Sequence, residues 1–294
     1  MEASSTLTTV FLPVALAIVM FGLGLHLTVA DFTRVAKVPK AALLALVTQI
    51  VVLPLVCLGL VLVFDLDPLL AVGMMLLAAS PGGTTANIFS HLAGGDVALN
   101  ITLTAINSVL AVVTLPIVVN LSIAGFLGSD TSIGLQPAKM LQVFAIVLIP
   151  VVLGMAVRKR WPDFADRMTK PVKIASMVVL AAVIIGAIVA ERENFVDYMR
   201  QVGLVSLLLV LISLGLGYWI PRLARVERKQ AIASSFEVGI HNSTLAITIA
   251  LSPTLLDNGT MAVPAAVYGV IMFIPAAILA YWVGGRSREP ASQS

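Results

Sequence analysis

Two short stretches and one helical stripe hold most of the residues in this chain that could do chemistry. Glu237, His241 and Asn242 stand at i, i+4 and i+5, so a helix brings the first two onto one face. Gly239 lies between them, and unwinding at Val238-Gly239 would free carbonyls as hard oxygen ligands suited to an alkali cation. Earlier in the chain, Pro81 removes a backbone donor while Gly82 and Gly83 loosen the helix, so a split is expected there. Its second half would present N–H groups near Thr84, Thr85 and Ala86, an arrangement that favours an anion. Asn100, Thr104, Asn107 and Ser108 recur at i, i+4, i+7 and i+8 and offer a row of oxygens able to meet Glu237. Gln49 stands alone in an apolar run. Plainer readings stand beside these: a proline kink that only shapes packing, polar side chains bonding between helices, and Glu237 as a protonated acid or proton relay.

The elements that carry these residues are apolar. Hydrophobic residues make up 59% of the 294, and charged ones only 11%, against roughly 25% in soluble domains. Runs of the length a bilayer requires fall near 8–30, 39–64, 68–92, 97–126, 138–157, 171–190, 202–221, 228–252 and 262–284, nine in all. Fourteen of the fifteen acids sit in loops, tails or span ends, and Glu237 is the exception. At 1.5 Å per residue it lies roughly 12 Å beyond Lys229, near the midplane, where a carboxylate requires a cation, a proton or a set of donors. Fifteen of the eighteen Lys and Arg residues fall on one side of this arrangement, which makes that side cytoplasmic, the N-terminus external and the C-terminus internal. Lys139, Arg192 and Arg200 are the three on the other side.

Spans one to four (about 8–126) and six to nine (about 171–284) form two four-helix sets separated by one linking helix (about 138–157), all within a single transmembrane domain, 1–294. The odd linker makes the second set enter from the opposite face, which gives an inverted-topology repeat. Each set carries a polar, Gly-bearing interruption in its third helix, the sequence mark of a transporter's binding site. The formal charge of +3 does not point to nucleic acid, because the basic residues cluster in short loops between spans. Cys57, the only cysteine, sits in an apolar run and has no partner for an intrachain disulfide. His26 and His91 lie near span ends, as structural histidines do, and Trp161, Tyr198, Tyr281 and Trp282 read as interfacial anchors. No nucleotide cradle, metalloprotease motif, Ser-His-Asp spacing or cysteine cluster is present, so neither an enzyme nor a cofactor is expected. The N-terminus lacks the basic region of a signal peptide, and the first run is expected to be retained.

The chain resembles the bile acid:sodium symporter family over almost its whole length. The resemblance is carried by Pro-Gly-Gly-Thr-Thr-Ala-Asn at 81–87, Gly-Asp-Val-Ala-Leu-Asn at 95–100 and Glu-Val-Gly-Ile-His-Asn at 237–242, with Phe21-Gly22-Leu23-Gly24-Leu25 upstream, and it suggests a bacterial member. It implies an all-α transporter with a panel domain and a core domain that holds two crossed, discontinuous helices. It implies a first sodium site of Asn87, Asn100, Thr104 and Glu237. The implied second site has Gln49, Glu237, His241 and the carbonyls of Val238 and Ile240. Thr84 and Asn242, with Thr85 and Gly83 beside them, would face the substrate. Pro81, Gly82, Gly83 and Gly239 would form the breaks. Two positions depart from the pattern: His241 stands where a glutamine is usual, and Asn100 where a serine is usual. A neutral imidazole is a poor sodium ligand, so the first departure bears on the second site.

The function expected is therefore sodium-coupled import of an organic anion by alternating access, with Na+ as coupling ion rather than cofactor. The substrate would be bile-acid-like or a smaller carboxylate such as pantoate or a keto acid. A proton-coupled carrier using Glu237 and His241 is the alternative within transport, and a membrane receptor or membrane-embedded enzyme the alternative outside it. Expected partners are the anion, Na+ and the bilayer, with no nucleic acid and no obligatory protein.

Overall fold

The structure, a computed structural model, describes residues 12–128, 137–190, 195–253 and 255–285. Residues 8–11 of the first expected span lie outside this set, as do Arg192, Arg286 and Arg288 of the charge count. The described chain is helical. Helix α1 (Leu12–His26) is followed after a 72° bend by α2 (Val29–Arg34). Next come α3 (Pro39–Val63), α4 (Pro68–Ala79), α5 (Ala86–Leu92) and the long α6 (Val97–Phe126). The second half holds α7 (Pro137–Arg160), α8 (Pro162–Ala190), α9 (Phe195–Leu223), α10 (Arg228–Gly239), α11 (Ser243–Leu251), α12 (Val263–Ile271) and α13 (Phe273–Gly285).

Four segments are long and apolar enough to cross a bilayer among the described residues: Pro39–Val63, Val97–Phe126, Val196–Leu223 and Thr260–Gly284. Helices also lie in each of the other expected runs, but those at 68–92 and 228–252 are interrupted. The side-chain distribution is that of a protein surrounded by lipid. Leu55, Leu121, Leu211 and Ile274 are exposed, whereas Gln49, Asn100, Thr104, Asn107, Glu237 and His241 are buried.

Helix starts follow from local chemistry. Pro39 and Pro68 open α3 and α4, where a missing N–H costs nothing. Asp67 caps α4 by accepting from the Leu69 amide at 2.9 Å, and Asp96 caps α6 by accepting from Leu99 at 3.0 Å. Helix α3 is not regular throughout. A π turn spans Thr48–Val52 and puts an extra residue into the helix at Gln49.

Helices α1, α7 and α8 pack against one another, while α10 packs against α5, α6 and α9. The α1–α7 contact depends on two glycines. A Cβ on Gly24 would lie 2.2 Å from the Val151 carbonyl oxygen, and one on Gly154 would lie 2.4 Å from that of Phe21. Both obstacles are backbone, which no rotamer change can move. Gly24→Val is expected to lower stability by about 1–3 kcal/mol through overpacking, read as a fall in the thermal unfolding midpoint in detergent. An unchanged midpoint would contradict the close crossing.

Candidate functional site

Two helix interruptions, at residues 80–85 between α4 and α5 and at residues 240–242 between α10 and α11, meet in the interior. A helix that ends away from water leaves N–H and C=O groups unpaired, and lipid cannot pair them. Here each interruption satisfies the other. The Gly83 N–H donates to the Ile240 carbonyl at 2.6 Å, and the Asn242 N–H donates to the Pro81 carbonyl at 2.9 Å. Gly82 and His241 thereby form an antiparallel bridge.

The second break lies later than the residues suggest. Val238 and Gly239 remain helical, and the chain leaves the helix at Ile240. Two bonds account for the shift. The Tyr268 hydroxyl donates to the Gly239 carbonyl at 2.9 Å and holds the end of α10. The Asn242 side chain caps α11 by accepting from the Leu245 amide at 3.0 Å. Gly239 weakens the helix, but these partners determine where it stops.

Glu237 is fully buried at this junction. The stripe on α6 meets it: Asn100 Nδ2 donates to Oε2 at 3.2 Å, Asn107 Nδ2 donates to Oε1 at 3.0 Å, and Thr104 Oγ1 lies 2.5 Å from Oε2. The Gly82 main chain closes the remaining side, where a Cβ would lie 2.2 Å from Oε1. Only glycine lets the backbone come so near the carboxylate. Donors thus surround the acid, and hydrogen bonds to a carboxylate are the stronger kind. The amide oxygens opposite those donors, Asn100 Oδ1 and Asn107 Oδ1, are buried without partners. They are hard ligands of the type an alkali cation takes.

The other expected residues divide between two places. Gln49 and His241 converge on the Ser80 carbonyl, with Gln49 Nε2 at 3.0 Å and His241 Nδ1 at 3.3 Å. The His241 ring meets Tyr268 edge-on at 5.3 Å between centroids. His241 Nε2 is left buried and without a partner. Gly83, Thr84, Thr85, Asn87, His241 and Asn242 line a cavity of about 220 Å³, together with apolar residues that include Leu23, Ile101 and Met272. Asn87 therefore stands in the cavity wall, with its Oδ1 unpaired, rather than in the ring of donors on Glu237. Ile240 is bound through its carbonyl to Gly83, and Val238 is fully buried within α10.

Tyr268 and Ser80 were not among the residues singled out by spacing. A tyrosine in an apolar span away from its ends was the available signal for the first. Ser80 contributes only its carbonyl, which sequence does not announce.

Residues 13–198 match the model of the Sodium Bile acid symporter family. The chain belongs to that family. An uncharacterized sodium-dependent transporter of Bacillus subtilis is 28% identical over 92% of this chain and 83% of its own length. The human ileal sodium/bile acid cotransporter is 26% identical over 84% of this chain and 70% of its own. The "Probable sodium/metabolite cotransporter" of Arabidopsis thaliana chloroplasts is 29% identical over 91% of this chain, which spans 65% of that protein. Family and relatives are transporters rather than enzymes, and the chain is a multi-pass membrane protein.

Tyr268→Phe is expected to cost about 1–3 kcal/mol by leaving the buried Gly239 carbonyl unpaired. Thermal unfolding of the purified protein checks this, and a neutral result would remove the hydroxyl from the account of the break.

Proposed function

We propose that this symporter-family member imports a small organic anion across the plasma membrane, driven by the inward sodium gradient. The observation that carries the reading is Glu237: a fully buried carboxylate at the meeting point of two broken helices, beside unpaired amide oxygens. Such a group attracts a dehydrated monovalent cation that can replace the donors now on it. Sodium would be co-transported, with Glu237 as the shared ligand of the coupling ions. Asn100 and Thr104 contribute to one site, and Gln49 and the turn at Val238 and Ile240 to the other. Asn87, which lines the larger cavity, would join the first site. His241 stands at the second, where its imidazole is the weakest ligand of the set.

The anion would occupy the larger cavity, against Gly83, Thr84, Thr85 and Asn242 and the N-terminal end of α11, with its apolar part on Leu23, Ile101 and Met272. The volume of about 220 Å³ lies below the ~300–1,000 Å³ of sites for drug-sized ligands, which supports a small carboxylate such as pantoate or a keto acid over a steroid. The nine-span, inverted-repeat topology, with N-terminus outside and C-terminus inside, belongs to the same reading. In it the group α1, α7 and α8 serves as panel and rocks against the rest to alternate access.

Uptake of labelled carboxylates into proteoliposomes tests the proposal. Accumulation should follow an inward sodium gradient and fall to background in Glu237→Ala. Uptake indifferent to both sodium and this substitution would end the proposal. A second reading, proton coupling through Glu237 and His241, draws on the unpartnered His241 Nε2 in the cavity wall. It requires uptake that follows a pH gradient in sodium-free buffer.

A further inference from the structure

Helices α7 and α8 meet at an exposed, charged turn, and each carries an exposed apolar face that runs up to it. On α7, Ile149, Val152 and Leu153 are each more than half exposed. Arg160 falls on the stripe of Ile149 and Leu153, at i+11 and i+7, and Lys159 stands at i+7 from Val152. On α8, Arg167, Lys170, Ile174 and Val178 recur at i, i+3, i+7 and i+11, and all four are exposed. Exposed apolar residues of a membrane protein lie against acyl chains. Lys170 stands roughly 6 Å along the axis from Ile174, and Lys159 roughly 9 Å from Leu153, so the charges follow at the depth of the headgroups.

The turn carries an excess of positive charge. Five basic residues lie between 158 and 170, against two acids. One acid, Asp166, is taken by Arg158. Lys159, Arg167 and Lys170 make no ion pair among the described residues. The Arg160 guanidinium lies 5.5 Å from the centroid of the Trp161 ring. Trp161 and Phe164 are 56% and 50% exposed, the placing of aromatic side chains at a membrane–water boundary. The basic turn between α9 and α10 differs. There Arg222 donates to the Val226 carbonyl and Arg228 to that of Val283. Helix α10 is buried from Ala231 to Gly239, so Lys229 has no exposed apolar face beside it.

We propose that the α7–α8 turn is a docking site for an anionic phospholipid. Lys159, Arg160, Arg167 and Lys170 hold its phosphodiester, and its acyl chains lie along the faces of Leu153 and Ile174. A guanidinium fork bonds two phosphate oxygens at once, while the lysines add point charge. The apolar faces beside the charges favour a lipid over a soluble phosphate. The site bears on the rest of the molecule through α8. Phe21 and Leu25 of α1 cluster with Val157, Ala165, Met168 and Val172, and Val172 lines the larger cavity. A lipid held at this turn therefore steadies a helix that forms part of the cavity wall. The inference holds whichever solute and coupling ion the protein uses.

Native mass spectrometry of the full-length purified protein, titrated with phosphatidylglycerol or phosphatidylcholine, tests the site. The unaltered protein should bind phosphatidylglycerol more tightly, and equal binding of the two lipids overturns the proposal. Lys170→Gln and Arg167→Gln should each weaken phosphatidylglycerol about fivefold, and the double variant about 25-fold. Lys229→Gln, which removes the same charge at the other basic turn, should change it less than about twofold. Equal losses in Lys170→Gln and Lys229→Gln would reduce the effect to net charge and overturn the site. A check that needs no variant is ionic strength: raising salt from about 0.05 to 0.5 M should remove most of the preference of the unaltered protein. A preference indifferent to salt contradicts a site built from exposed charges. Glycerol 1-phosphate at equal concentration should not displace the lipid; displacement would make the turn a site for soluble phosphate and overturn the proposal.

Discussion

A carboxylate inside an apolar bundle is the constraint on which the rest of this structure depends. Glu237 is buried, and polar groups reach it from two directions: the α6 stripe and the main chain at Gly82. The main-chain contact at Gly82 could not come from an unbroken helix in lipid, whose backbone groups are all spoken for. The polar interior and the broken helices are therefore two aspects of one requirement.

The breaks are stable because they are complementary. Residues 80–85 expose donors and acceptors that residues 240–242 take up through two backbone bonds, and the caps from Asn242 and the Tyr268 hydroxyl complete the pairing. A single interruption would leave those groups orphaned at a cost of several kcal/mol. Two interruptions placed opposite each other cost far less and also bring Gly82 onto the carboxylate. The larger cavity and a smaller one lined by Gln49, Pro81 and Asn107 share no lining residue.

Much of this was legible in the residues. Asn100, Thr104 and Asn107 share a face of any helix, because the spacing leaves no other choice, and that face does meet Glu237. The proline and paired glycines located the first break correctly. The second was misplaced, since Gly239 signals a weak helix while the actual stopping point depends on Tyr268 and Asn242, partners remote from it or on its far side. The π turn at Thr48–Val52 was invisible: Thr-Gln-Ile-Val-Val has the composition of any apolar helix, and only packing against Ser80 and His241 reveals the irregularity. Which end of an amide is left unpaired is likewise a property of the assembled interior.

The two backbone bonds between the breaks have a mechanical corollary. Short, paired bonds resist shear, so α4, α5, α10 and α11 are clasped into one stiff body at their centres. Any movement that keeps the clasp shut must carry Glu237 and the N-terminal end of α11 together. The glycine-stapled pair α1 and α7, with α8 packed against it, stands outside this clasp.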